Sequence, residues 1–388
     1  MGIVTVSQRH FLTTGPEPSY SEWGERRGRV DLAIVGPAQS GKTAVFNALA
    51  VGHAQHGDAR REHVAAVKIP DERLEKLAAL VAADKVTHAE LRLYDLPPLF
   101  EKGRAASGEA AEFLSRADGL ILVVRHFRRP DVPHPLGDVD PGRDIDLFQS
   151  EMVLHDLGIV ERRLEKLDIT VRSARPGERE AGQREQPVLQ RARQYLEDGQ
   201  PLRDHMAGGE EARVLANYGL LTLKALLILV NLDEADIGRT AEIEGEYRGR
   251  YGVGGASVGA MCARLEAELA ELEPEEAVEF RREMGAAEPA APRILKQVLD
   301  TLALITFYTP VGTECRAWPV PAGTTALEAA GRIHTDMERG FIRAEAIAWE
   351  ELMEIGSLAE AKKRGRLRSE GKQYVVQNGD VLHILFHV

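Results

Sequence analysis

The chain has 388 residues, and with roughly 100 to 200 residues per domain it is expected to hold two or three cores rather than one. Its 49 Lys and Arg face 61 Asp and Glu, a net charge of −12, which excludes the overall basic field that binds bulk nucleic acid and confines any RNA contact to a local patch. Two cysteines, Cys262 and Cys315, are too few for a disulfide framework and lack metal-ligand spacing, so buried thiols in a reducing, cytoplasmic setting are expected.

In chain order, residues 1–28 are polar, broken by Pro16 and Pro18, and lack the apolar run of a secretory signal. No window reaches the roughly 18 apolar residues of a membrane helix. Residues 30–35, VDLAIV, predict a short buried strand, and TAVFNALAVG after the next loop places Val45, Phe46 and Leu49 at helical spacing. Further strands are predicted in AELRLYDL (89–96), GLILVVRHF (119–127) and KALLILVNL, ending at Asn231. Apolar strands separated by helical stretches predict an α/β fold with a largely parallel sheet covered on both faces.

Between the third and fourth of these strands, residues 144–216 are rich in Glu, Arg, Leu and Gln. The stretch LFQSEMVLHDLGIVERRLEKL keeps apolar residues in steps of three and four, which predicts a helical hairpin of coiled-coil character. Two prolines and two glycines in RSARPGEREAGQREQP place a loop at its tip. From about residue 304 the composition turns β-rich, and Asn378-Gly379 between apolar residues predicts a hairpin.

The segment GPAQSGKT supplies the chemistry. Gly36, Gly41, Lys42 and Thr43 satisfy GxxxxGK[ST] between a strand and a helix. The glycines let backbone N–H groups turn toward phosphates, Lys42 reaches the outer ones, and the Thr43 hydroxyl is a candidate magnesium ligand. Gln39, Ser40 and Ala44 complete the candidate phosphate contacts. The fourth strand ends in Asn231-Leu232-Asp233-Glu234, where guanine readers carry Asn-Lys-x-Asp; Asn231 can contact a base, while Asp233 and Glu234 also suit a solvated turn.

At these residues the chain resembles the YchF/Obg-like ATPase family, over nearly its whole length after the N-terminal extension. GKTAVFNAL is similar to the family's phosphate loop and first helix, IPDERLEKLA to its Pro-Asp-x-Arg-Leu segment, and KGRAASGEAAEFL to its switch loop. VVRHF resembles a family strand, DVDPGRDIDLFQSEMVLHDL the start of its helical domain, and NLDE its NxxE base motif. MCARLEAELAEL resembles the loop closing over the base, which puts Cys262 and Ala263 there beside Asn231, Leu232 and Glu234. RAWPVPAGTTALEAAGRIHTDMERGFIRAE and GDVLHILFHV are similar to its C-terminal TGS domain, a β-grasp fold. The resemblance implies a P-loop NTPase core (29–143 and 217–303), an inserted coiled-coil hairpin (144–216), a TGS domain (304–388), ATP in preference to GTP, and association with the ribosome.

Departures from that pattern bear on hydrolysis. GTPase-type chemistry uses a threonine in the first switch loop, yet Ala44 to Val86 contains no threonine or serine, and Ala59 occupies the corresponding position. The second switch should read Asp-x-x-Gly; here it reads Asp95-Leu96-Pro97-Pro98. Proline has no N–H, so Pro98 cannot donate to a γ-phosphate. Leu99 follows and cannot polarise water, while Asp95 can still support magnesium through water. A family histidine aligns with Leu122, with His126 nearby as a replacement that would have to be re-aimed.

A basic run, KKRGRLRSEGK, holds Lys362, Lys363, Arg364, Arg366, Arg368 and Lys372 with Glu370 as its one acid. It is a candidate contact to ribosomal RNA phosphates or a solvated face. Three functional classes stay open: a slow ribosome-associated ATPase, a nucleotide-gated binding module without hydrolysis, and a small-metabolite kinase, for which Arg60 and Arg61 would form the lid. GTP in place of ATP is a further alternative. No DNA or membrane partner is expected.

Overall fold

The computed structural model describes residues 30–50, 64–99, 109–173, 176–286 and 288–387. The first half builds strands β1 (Val30–Val35), β2 (Val64–Lys68), β3 (Lys85–Thr87), β4 (Glu90–Asp95), β5 (Gly119–Arg125), β6 (Ala225–Asn231) and β7 (Ala256–Met261). Six of them form a sheet in the order β2-β4-β1-β5-β6-β7, parallel throughout except for the antiparallel β2–β4 pair. Every residue of β1, β5 and β6 is buried. Alternate β1 residues explain why: Val30, Leu32 and Ile34 pack with Val45 and Leu49 of the helix Lys42–Ala50, whereas Ala33 and Val35 join Ile145, Phe148 and Met152 on the other face. A parallel strand covered on both sides therefore reads as one continuous apolar run.

The long helix Pro141–Ser173 leaves this sheet and the helix Pro176–Glu197 returns along it. Val160, Leu164 and Leu167 meet Leu189, Ala192 and Leu196 in a separate apolar cluster, and Arg163 pairs with Glu185 across the hairpin. The expected tip loop over 172–187 is corrected, because residues 176–187 are helical with Pro187 inside the helix. Pro176 stands at the helix start, where a missing N–H removes no intrahelical bond. At Pro187 the bond is lost, and the apolar packing that begins at Leu189 retains the helix there.

The second sheet comprises β8 (Leu304–Val311), β9 (Glu314–Pro321), β10 (Phe341–Ala348), β11 (Arg368–Glu370) and β12 (Asp380–Phe386), in the order β11-β10-β12-β8-β9-β3. It packs on the helix Ala326–Ile333, whose start is fixed by a reciprocal capping box between Thr325 and Glu328. The antiparallel hairpin expected around Asn378-Gly379 is not formed. The pair does make a turn, with Gly379 at φ +93°, but β12 pairs with β10 and β8 instead of with residues 373–377. The backbone of that preceding segment is already engaged elsewhere, Ala326 N donating to Tyr374 O and Val376 N to Thr324 O.

Strand β3 ties the two halves together. It adds in parallel to β9, with Val86 opposite Cys315. Beside it, Tyr308 donates to Asp71 Oδ2 at 2.7 Å and Trp349 Nε1 to Arg73 O at 2.9 Å. One apolar cluster accordingly runs from β1 through Leu74 and Leu77 to Tyr308, Cys315 and Val381. Cys262 and Cys315 are both buried free thiols, and burial pushes the Cys315 thiol up to about 11.

Candidate functional site

Ligand sites of open parallel sheets lie at the carboxyl ends of the strands, and the candidate residues gather there. The loop between β1 and its helix turns sharply at Gly36, φ +142°, and at Gly41, φ +92°. Neither position admits a side chain: a Cβ on Gly36 would lie 2.3 Å from Val123 O, and one on Gly41 2.2 Å from Asn231 Nδ2. Gln39 also has positive φ, at 61°. Lys42 is buried and its ammonium donates to Gly36 O at 3.1 Å and Pro37 O at 2.9 Å, so the cation is parked on the carbonyls of its own loop. The Ser40 hydroxyl is buried without a hydrogen-bond partner among the described residues, which fits a ligand oxygen in the loop.

Thr43 Oγ1 donates to Asp95 Oδ2 at 2.6 Å. The first residue after the phosphate-loop lysine and the last residue of β4 thus meet directly, and this hydroxyl-carboxylate pair suits a hard oxygen-seeking cation such as magnesium. Leu99, 2% exposed, points into the core beneath the helix Glu109–Arg116 rather than toward the loop. Leu122 is fully buried, and His126 is engaged elsewhere, its Nδ1 3.1 Å from Asp236 Oδ2. Ala59, Arg60 and Arg61, and residues 102–108 of the switch loop, lie outside the described residues.

Asn231 is the hinge of the base side. Its Nδ2 donates to Ser40 O at 3.1 Å, and its Oδ1 accepts from Ala263 N at 3.2 Å. One buried amide therefore fastens the phosphate loop to the segment after β7. Leu232, though buried, lines with Asn231, Glu234, Cys262 and Ala44 a cleft of about 610 Å³ that opens beside Gly41. Burial raises the Cys262 thiol above its ordinary value, so it is a protonated wall and not a nucleophile.

Motif reading missed Asn47, Phe127, Arg128, Arg129 and Arg264, which also line the cleft. The signal that could have found them is positional: each follows the carboxyl end of β5 or β7, or sits one turn into the first helix. Arg125 is buried and binds the carbonyls of Phe127 and Val132 at 3.0 and 2.7 Å, which shapes the cleft wall. Burial lowers its pKa.

The basic run lies far along the chain, on the helix Leu358–Lys363, β11 and the loop between and after them. Most of its charge is locally answered: Lys362 faces Glu345 at 3.8 Å, Arg364 meets Glu360 at 2.7 Å, Arg366 pairs with Glu351, and Arg368 reaches Asp380 at 3.3 Å. Lys363 and Lys372 are exposed without an ion-pair partner among the described residues. Among those residues no group of three or more His, Cys, Asp or Glu could hold a metal, and no helix is long and apolar enough to cross a membrane.

Comparison with known proteins agrees with this geometry. A family model, YchF-GTPase_C, described as a protein of unknown function (DUF933), matches residues 304–387. A "Ribosome-binding ATPase YchF" of Haemophilus influenzae is 34% identical over 362 residues, 92% of this chain and 98% of its own length. The protein of the same description from Bacillus subtilis is 34% identical over 364 residues with the same coverage. The solved structure of the Schizosaccharomyces pombe YchF GTPase superposes with a TM-score of 0.78 at 30% identity, over 92% of this chain and 97% of that one. With a parallel-sheet core, a glycine loop closed on Asn231 and a C-terminal mixed sheet, the chain belongs to the YchF/Obg-like ATPase family.

Proposed function

We propose that this chain is a ribosome-associated P-loop protein that binds ATP in preference to GTP, together with magnesium, and hydrolyses it very slowly. The observation that carries the slow turnover is Pro98, in the place where the second switch needs a glycine N–H. Its imide nitrogen has nothing to donate to a γ-phosphate in any loop conformation. Removing one preorganised donor commonly costs on the order of a hundredfold or more in rate.

Binding is supported by the glycine loop, the Lys42 ammonium and the unpartnered Ser40 hydroxyl. Magnesium would be held by Thr43 and, through water, by Asp95, and when bound would neutralise charge on the outer phosphates. Lys42 would leave the carbonyls of Gly36 and Pro37 for those phosphates. Ribosome association is supported by the ribosome-binding description of the relatives and by the exposed Lys363 and Lys372. The division into residues 29–143 with 217–303, 144–216 and 304–388, and a cytoplasmic location, belong to the same proposal.

Pro98 also favours a second reading, a nucleotide-gated module that does not hydrolyse. With little to grip the γ-phosphate, ATP and ADP would then bind alike, and exchanging one for the other would shift no conformational equilibrium. Calorimetric titration with ATP, ADP, GTP and GDP in magnesium, paired with single-turnover phosphate release, tests both. The main reading expects ATP tighter than GTP and than ADP, with release far slower than once per second. Several turnovers per second, abolished by Lys42→Ala, would defeat the proposal.

A further inference from the structure

The mouth of the base cleft carries an ion pair that no motif announces. Glu234 opens the 3-10 helix Glu234–Arg239 after β6, and Arg264 is the second residue of the helix Ala263–Leu269 after β7. Both line the 610 Å³ cleft, and Arg264 Nε lies 3.3 Å from Glu234 Oε1 while it donates to Glu268 Oε1 at 2.8 Å. The neighbouring Asp233 is directed to the backbone of Arg128, accepting from its N–H at 3.3 Å. The side chains of Arg264 and Glu234 are 58% and 39% exposed, so their attraction adds little to folding stability. Its consequence is for a ligand.

A purine offers its Watson–Crick edge as neighbouring hydrogen-bonding groups. Guanine presents an acceptor, O6, beside two donors, N1–H and the 2-amino group, and a lone carboxylate with two acceptor oxygens matches the two donors. Adenine presents a donor, the 6-amino group, beside an acceptor, N1. A lone carboxylate would set its second oxygen against that acceptor. A carboxylate facing position 6 with a guanidinium facing position 1 presents one acceptor and one donor, the complement of adenine, whereas guanine in the same pose sets O6 against the carboxylate and N1–H against the guanidinium.

We propose that Arg264 is the donor half of a two-residue adenine reader, with Glu234 accepting from the 6-amino group and Arg264 donating to N1. This rests on the reading that the cleft holds the base of ATP, and it assigns the discrimination to a residue outside the NxxE motif. With the phosphates anchored in the loop and the base held in that pose, guanine is rejected because its N1–H meets the guanidinium and its O6 meets the carboxylate.

The test is calorimetric titration of wild type, Arg264→Ala and Arg264→Lys with ATP, GTP and 1-deaza-ATP, which keeps the 6-amino group but lacks N1. The assignment expects Arg264→Ala to bind ATP about tenfold more weakly, the scale of a lost hydrogen bond to a charged group. It also expects an unchanged affinity for 1-deaza-ATP, a narrowed preference for ATP over GTP, and partial rescue by Arg264→Lys. Equal losses for ATP and 1-deaza-ATP would mean that Arg264 only braces Glu268, and would overturn it, as would an unchanged ATP affinity. A wild type that binds ATP and GTP equally would instead refute the underlying ATP reading, and the assignment with it.

Discussion

Replacing Asn231 by alanine removes a side chain that joins the phosphate loop to the base-side segment. Asn231 is 4% exposed, and its amide makes two buried bonds, 3.1 Å to Ser40 O and 3.2 Å to Ala263 N. Truncation strands one carbonyl and one N–H, each costing about 1–3 kcal/mol when no water reaches it. The sum is about 2–6 kcal/mol, so even its lower bound shifts the unfolding equilibrium by about thirtyfold. Urea denaturation followed by circular dichroism reads the stability, and calorimetry the ATP affinity, which should fall by about tenfold or more because Ser40 belongs to the loop that meets the phosphates. Asn231→Asp keeps an acceptor for Ala263 N but turns a carboxylate oxygen toward Ser40 O, so it should be at least as damaging. If both variants stayed within about 0.5 kcal/mol of wild type, as ordinary surface substitutions do, Asn231 would not be the clasp described here.

Pro98→Gly restores a backbone donor at the second switch and should raise single-turnover hydrolysis about tenfold to a hundredfold; an unchanged rate would place the block elsewhere. Tyr308→Phe deletes the 2.7 Å bond to Asp71 and should lower stability by about 1–2 kcal/mol while ATP affinity stays as it was; a changed affinity would contradict a purely structural joint. Glu185, hydrogen-bonded to Arg163, has its carboxyl pKa held below the ordinary value of 4.5. A depressed carboxyl contributes stability above that ordinary value and loses it as pH falls through the lower folded value. Unfolding free energy of wild type should therefore decline below about pH 4.5 more steeply than that of Glu185→Gln, and parallel pH profiles would dismiss the contribution. Replacing Lys363 and Lys372 by alanine should reduce co-sedimentation with ribosomes at low salt and lower the salt slope by about one per lost phosphate contact; unchanged co-sedimentation would remove the basic run from the interface.

Sequence by itself determined the elements whose cause is local. VDLAIV became β1 from Val30 to Val35 because uninterrupted apolar character is what a strand buried on both faces requires. The spacing of Gly36, Gly41, Lys42 and Thr43 was enough to place the phosphate loop, since backbone freedom and a helix start are properties of neighbours in the chain. The missing donor at Pro98 was equally legible, being a fact of covalent structure.

Tertiary structure alone decided what depends on distant partners. Asn378-Gly379 made its turn, yet whether the flanking residues paired with each other or with β8 and β10 was settled by competition for backbone hydrogen bonds. Pro187 stayed helical because packing across the hairpin outweighed a local preference. The joining of β3 to β9, the fastening of Ser40 to Ala263 through Asn231, and the approach of Arg264 to Glu234 bring together residues 30 to more than 220 positions apart. No pattern of neighbours encodes such meetings, because each exists only after the strands have stacked and the loops at their carboxyl ends have been carried into one place.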